Sequence, residues 1–587
     1  MSTPGRGDLG DEGQGIILTD AHVVCCDPLD TIVDTVGIRA GRIVATGDMS
    51  SVADAMGDGC RVVGLDGATV IPGLIDTHPH LMGFALVAEP LVDLADAVDH
   101  HDIGTRIAAK AAETPPGEWV MTTPVGEAHY FLRRSYRDLT EGEIPDRRVL
   151  DRAAPDHPVF VQAWAPVTPN VCAFNSRALD LLGIDHTTPD RVENVWIEKD
   201  ADGEPTGRLH GSVTNYYNGD PFMESLLLQV PIFQLGLIGQ ATTRAMRAYN
   251  ALGVTTVYEG HTMDFPLLDA YRALRADGEL SVRVLCAPDA ILVGIPGIGP
   301  FSQEQLLARL EQAAATVDRT DDLLRFDGVT VGRAGPCGPG WVLLREPYRG
   351  PYGEPTSGRS FVTLDEAGYI IDFCASRGLR LNMMVLGNGE LDGWLEQLEK
   401  LDGPPATGDR PWIVQHAAVV EPDQIERLAA LEIDLTASMS FSWGKGDLFA
   451  ERVGEHILEH LVPLQRLLDA GLRVGCGSDW GPKNAFEHMA LAVEPYYAGS
   501  GRKGATQGIA RHAALHGWTR GAADVLCWEG IGSIVPGNHA DVTIVDQDPV
   551  TCPLDRLPDT TVLATLLGGH QVSGTALDGV PTPTRSR

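Results

Sequence analysis

The chain has 587 residues, 43% of them hydrophobic and 21% charged, with a formal net charge of −35. That length exceeds what one simple core organises and asks for two or three lobes. The charge argues against a nucleic-acid partner, which needs clustered lysine and arginine, and no apolar run is long enough to span a membrane.

Residues 1–15 are polar and glycine-rich and lack the charged-then-apolar pattern of a secretion signal, so they read as a disordered lead-in to a cytoplasmic protein. Ten cysteines without a Cys-x-x-Cys pair read as reduced, mostly buried thiols rather than a disulfide framework. Short apolar runs at residues 16–24, 35–38, 42–46 and 61–65, separated by turn residues, have strand-and-hairpin spacing. Residues 535–580 repeat that style at 540–545 and 560–567, so segments 16–72 and 535–580 predict one discontinuous β-sandwich domain.

The most informative stretch follows. Val70-Ile71-Pro72-Gly73-Leu74-Ile75-Asp76-Thr77-His78-Pro79-His80 is an apolar run ending in His-x-His. In a strand alternate residues share a face, so His78 and His80 are expected to aim their imidazoles at one point, as transition-metal ligands do. On this motif alone, two solvated loop histidines remain an alternative.

From residue 73 to 534 strand-like runs alternate with amphipathic helical patterns, which predicts a parallel β/α layout. The runs are 70–77, 253–258, 281–286, 328–331, 379–385, 412–416, 434–438 and 472–477, with helices intervening as at 306–315 and 424–431. Eight strands suit an α/β fold of the (β/α)8 TIM-barrel type, whose sites lie at the C-terminal strand ends. His78, His80, His416 and Asp479 fall there. Residues 85–240 break the rhythm, with an alternating run at 159–163 and a hairpin around 200–203, and read as an inserted lid lobe that shapes the substrate site. Trp164, Trp341 and Trp480, with Tyr216, Tyr217, Phe222 and Trp443, fall in predicted loops above the strands. The three tryptophans are the candidate substrate-binding residues; plain packing between lobes is the alternative for these aromatics.

The ordered landmarks resemble the amidohydrolase superfamily. The Pro72-Gly73 to His80 stretch is similar to that family's first barrel strand, Trp412-Ile413-Val414-Gln415-His416 to its sixth, and Gly475-Cys476-Gly477-Ser478-Asp479 to its eighth. Asn175-Ser176-Arg177-Ala178-Leu179 and Asp202-Gly203-Glu204-Pro205-Thr206-Gly207 resemble motifs of the large branch with a long insertion, the N-substituted formamide deformylase-like proteins. The resemblance covers nearly the whole chain.

The resemblance implies a metal that lowers the pKa of bound water, with Asp479 as ligand and proton shuttle and His416 as a ligand or as the group that polarises the scissile carbonyl. His78 and His80 are the remaining implied ligands. Two departures matter: Thr330 stands where two-metal relatives carry a bridging lysine, and Met384 replaces a ligand histidine. The expectation is therefore one divalent transition metal, zinc, with Glu259 as a compensating ligand and His261 as an alternative to it. The implied activity is metal-dependent hydrolysis of a non-peptide C–N bond, of amide or formamide type. A decarboxylase or hydratase on the same scaffold, or a binding protein that has lost its metal, remain alternatives. The expected partner is a small-molecule substrate, with a homodimer left open.

Overall fold

The computed structural model describes residues 15–88, 91–126, 134–163, 167–232, 234–292, 294–298, 301–575 and 577. Residues 1–14 of the expected lead-in and Trp164 fall outside them.

The interior is carried by eight parallel strands: β1 (Leu74–Asp76), β2 (Val254–Glu259), β3 (Arg283–Cys286), β4 (Val329–Gly332), β5 (Leu381–Met384), β6 (Ile413–Gln415), β7 (Asp434–Ala437) and β8 (Val474–Cys476). Every residue in them is buried. Such all-round burial belongs to parallel strands covered on both faces, and helices such as Phe265–Ala276, Leu364–Arg377 and Pro422–Ala430 supply the cover. β1, β2 and β3 pair in parallel, β3 also pairing with Leu324–Phe326, while β4 to β8 pair in order in a second parallel sheet. Backbone contacts join the two sheets at both edges. Asp289 bridges Thr330 in parallel fashion on one side; on the other, Thr77 N donates to Cys476 O (3.1 Å) and Asp479 N to His78 O (2.8 Å).

The expected strand over 70–77 is two strands. Thr69–Pro72 joins a sheet built from both ends of the chain, and β1 begins only after Gly73. The break lies where the chain passes close to a neighbour: a Cβ on Gly73 would sit 2.2 Å from Thr255 Oγ1, closer than any side chain tolerates.

The sheet that takes Thr69–Pro72 has six strands, in the order His570–Gly574, Val562–Leu567, Val542–Val545, Thr69–Pro72, His22–Val24, Ile32–Val33. A four-stranded sheet, Arg42–Gly47, Thr35–Arg39, Ile16–Thr19, Arg61–Gly64, shares a core with it through Leu18, Ile38, Val63, Val70, Ile544 and Leu566. Within residues 85–240 a six-stranded mixed sheet includes the hairpin Val195–Lys199 and Pro205–Gly211.

A buried ion pair ties the terminal sheet to the parallel strands. Arg283, at the start of β3, gives its Nε to Asp541 Oδ2 (2.6 Å) and its Nη2 to Oδ1 (2.9 Å), both residues lying out of solvent. Removing one partner of such a pair strands the other charge in the interior and costs about 3–5 kcal/mol. Arg283→Met is therefore expected to lower the unfolding free energy by about 3–5 kcal/mol, read as a fall in the urea midpoint. A midpoint unchanged within error would mean the contact does not hold the two parts together.

Candidate metal centre

The potential donors gather just past the C-terminal ends of β1, β6 and β8. His78 Nε2 is the hub, 2.9 Å from His80 Nε2, 3.2 Å from His416 Nε2 and 3.4 Å from Asp479 Oδ1; His80 Nε2 lies 3.2 Å from the same oxygen. His78, His80 and Asp479 form a buried cluster whose ligand atoms all lie within 4.8 Å of one another.

The histidine pair does not arise by strand alternation. β1 ends at Asp76, and the two imidazoles are brought together by the following turn, in which His80 has φ 50°. His416 (φ 74°) and Asp479 (φ 49°) are left-handed as well. Non-glycine residues seldom adopt this conformation, and strain of this kind concentrates at functional sites, where surrounding contacts over-determine it.

Asp76 supplies several of those contacts. Its Oδ1 accepts from His78 N and Ser478 N, both at 3.0 Å, and its Oδ2 from Ser478 Oγ at 2.7 Å. Lys483 adds a second staple, donating to Pro79 O (3.1 Å), Ser478 Oγ (3.2 Å) and the backbone oxygen of Asp479. The loops carrying His80 and Asp479 are thus fixed to each other by side chains that do not themselves offer ligand atoms to the cluster. Asp76 was only a letter of the motif, and Lys483 gave no sequence signal beyond the rarity of lysine.

The donor set suits a metal ion. Burial pushes the imidazoles of His78, His80 and His416 down, His416 to about 3, so they are neutral at pH 7 with a lone pair to offer. Burial alone would raise the Asp479 carboxyl, but the His80 ring nitrogen facing it holds it well below the usual carboxylate range. Neither Asp479 oxygen accepts a hydrogen bond of good geometry among the described residues. A buried ionised carboxylate left in that state is costly, and an ion would satisfy it. Tetrahedral zinc, with bonds of roughly 2.0–2.2 Å, needs donors about 3.3–3.5 Å apart, close to the separations observed.

Glu259 requires a correction. It ends β2, but its Oε1 accepts from Met82 N (2.8 Å) and Tyr271 Oη (2.7 Å), and it is not a member of the donor cluster. His261 comes nearer, with ring centroids 5.3 Å from His80 and 5.8 Å from His78. Both its nitrogens are engaged, Nε2 with Tyr217 Oη (2.8 Å) and Nδ1 with Asp289 Oδ1 (3.3 Å). Asp289, buried and absent from the sequence reading, thereby orients His261 in the wall of the cavity that faces the donors.

At the two departure positions the interior closes on itself. Thr330 Oγ1 donates to Gly260 O (2.7 Å), and Asn382 Nδ2 reaches Thr330 Oγ1 (2.8 Å) and Gln415 Oε1 (2.9 Å). Met384 presents a thioether to the cavity.

Trp480 lines this cavity and an adjoining apolar one, with its ring 5.3 Å from Tyr216 and 6.2 Å from His80. Trp341 does not reach the donors. It lies behind Tyr217 at 6.2 Å and lines a neighbouring cleft with Arg359 and Phe361. Trp443 is fully buried and Phe222 packs against the core of the inserted sheet, so these two serve packing.

Parallel strands with imidazoles and a carboxylate converging at their C-terminal ends form a candidate metal centre of the kind a hydrolase needs. The sequence pattern of the amidohydrolase family matches residues 61–573, and the chain belongs to that family. It is therefore an amidohydrolase-family enzyme. The N-substituted formamide deformylase of Arthrobacter pascens is 26% identical over 94% of this chain and 97% of its own. YtcJ of Bacillus subtilis is 25% identical over 92% and 96%. Among solved structures, an uncharacterized metal-dependent hydrolase from Pyrococcus horikoshii shares the fold with a TM-score of 0.69 at 22% identity, over 92% of this chain and 99% of that one. Among the described residues no helix is long and apolar enough to cross a membrane.

Proposed function

We propose that the protein hydrolyses an amide or formamide whose nitrogen carries an aromatic or other apolar group, with one zinc ion held by His78, His80 and Asp479 and with His416 beside them. The observation that carries this reading is the contrast within the interior. His78, His80 and Asp479 converge at one point with His416 Nε2 3.2 Å from His78, whereas Thr330 and Asn382 turn their polar groups to each other, to Gln415 and to Gly260 O. The apolar cavity beside His80 and Trp480, lined by Tyr216, Pro266, Leu267 and Leu292, supports an apolar substituent, as does similarity to an enzyme named for substituted formamides.

The ion, when bound, lowers the pKa of water and polarises the carbonyl. Asp479 takes the proton from the attacking water and returns it to the leaving nitrogen. His416 orients the carbonyl, and Trp480 with Tyr216 receives the substituent. Tyr216 and Tyr217 follow the strand Pro205–Gly211, so the inserted segment contributes to the pocket wall. We read the two parallel sheets as one closed (β/α)8 barrel over 73–534, the paired terminal sheets as a β-sandwich over 16–72 and 535–580, and 85–240 as the lid. Ten free cysteines support a reducing, cytoplasmic setting.

Elemental analysis of protein purified without added metal is the test. About one equivalent of zinc per chain is expected, with conversion of 4-nitroformanilide to formate and 4-nitroaniline. Two equivalents retained through dialysis would overturn the one-metal reading.

A further inference from the structure

One charged side chain in the cavity plays no part in the mechanism above. Lys445 lies on the helix Ser440–Arg452 and is only 4% exposed. Among the described residues it is the one lysine or arginine in a cavity wall it shares with His80, His416, Asp479 and Met384. Its Nζ stands 4.7 Å from the centroid of the Phe441 ring, and that ring packs 4.8 Å from His416. Phe441 and Lys445, four residues apart, share one helix face, so the helix presents an aromatic ring and an ammonium together to the metal centre.

The other charges in the wall indicate what the ammonium meets. Asp289 is committed to His261 and to Met263 N (2.8 Å). Glu390 accepts from Arg333 N and Leu386 N, both at 3.0 Å. Burial raises the Glu390 carboxyl to about 7. The charge that develops during the reaction appears on the carbonyl oxygen, next to the metal centre. Thr330 and Met384 leave the centre without the ligands of a second ion that would share that charge.

We propose that the Lys445 ammonium stabilises the oxyanion formed when water adds to the substrate carbonyl. The proposal rests on the amide-hydrolysis reading above. In the step, a water oxygen forms a bond to the carbonyl carbon, Asp479 takes the water's proton, and the C=O π pair moves onto the oxygen. Lys445 donates an N–H hydrogen bond to that oxygen and keeps its proton. Collapse re-forms C=O and breaks C–N, and the proton on Asp479 goes to the departing nitrogen. Burial lowers the ammonium to about 8 against the opposing pull of Asp479 and Cys337, which leaves it charged at pH 7.

The test compares wild type, K445M and K445R for metal content, melting temperature, and turnover of a neutral probe, 4-nitroformanilide, and an anionic one, 4-formamidobenzoate. Titration with phenylphosphonate, whose anionic oxygens mimic the addition intermediate, reads the same interaction without turnover. K445M is expected to keep its metal, to lose about 10²–10³ in kcat on both probes as when one oxyanion donor is removed, to change KM little, and to bind phenylphosphonate more weakly. K445R, which keeps the charge but displaces the donor, is expected to fall between the two. If K445M does not fold, K445R carries the test through its kcat and its phosphonate affinity. Normal kcat in a metal-loaded variant overturns the proposal. So does a rise in KM confined to the anionic probe, which would make Lys445 a receptor for a substrate carboxylate. If wild type cleaves neither probe, the substrate reading fails separately, and an unchanged phosphonate affinity in K445M would still overturn the role of Lys445.

Discussion

Replacing Asp479 by asparagine is expected to lower turnover by about two to four orders of magnitude, the range for losing general acid–base catalysis, while most of the metal remains bound. The side chain keeps its size and one carbonyl oxygen, so the cluster of His78, His80 and His416 stays assembled. It loses the ability to hold the proton between attack and departure of the nitrogen. Asp479 is suited to that task because its oxygens face the reacting space without hydrogen bonds of good geometry, and because it is 1% exposed, which keeps bulk water from competing for the proton. Lys483 and the backbone bond from Asp479 N to His78 O hold the loop in place whether or not the side chain is charged. Steady-state kinetics and elemental analysis on the same preparation decide the matter. Near-normal turnover in the metal-loaded variant would remove the proton-shuttle mechanism, and joint loss of metal and activity would make Asp479 mainly a ligand.

Most of the scaffold was legible in the sequence because parallel strands covered on both faces read as short apolar runs. β2 and β4 each run one residue past the predicted segment, while β3 and β5 to β8 lie inside theirs. What was not legible follows from the same physics. Glu259 reads as a ligand in the sequence because it ends a strand. All six residues of β2 are buried, so no alternation of polar and apolar positions marks which face looks toward the donors. The side chain in fact meets Met82 N and Tyr271.

His78 and His80 come together by a route other than the one their spacing suggests. Their spacing fits a strand, yet a left-handed turn and the Asp76 carboxylate bring them together, and neither leaves a signature beyond one aspartate in the motif. Asp289 and Lys445 were missed because each follows a strand in a segment with no motif of its own. Their roles come from packing between β3 and β4 and from a helix face, which are long-range relations.

His78→Ala is the counterpart of the Asp479 variant and should separate ligation from proton transfer. His78 Nε2 lies within 3.4 Å of donor atoms on His80, His416 and Asp479, so its removal opens the centre of the cluster. Losing an outer-shell partner of a metal ligand costs about 10–100-fold in affinity, and losing a ligand at the hub should cost more. Metal after dialysis is therefore expected to be near zero and turnover undetectable. The stability readout is as informative. An ion that binds only the folded protein stabilises it by about 2.7 kcal/mol when present at 100 times its Kd, and removing it leaves the ionised Asp479 carboxylate buried without compensation. Chelation should therefore lower the melting temperature of wild type and of Asp479→Asn but leave that of His78→Ala unmoved, because no ion remains there to remove. A chelator-sensitive melting temperature in His78→Ala would mean that the ion is held elsewhere, and the centre assembled here from His78, His80, His416 and Asp479 would have to be abandoned.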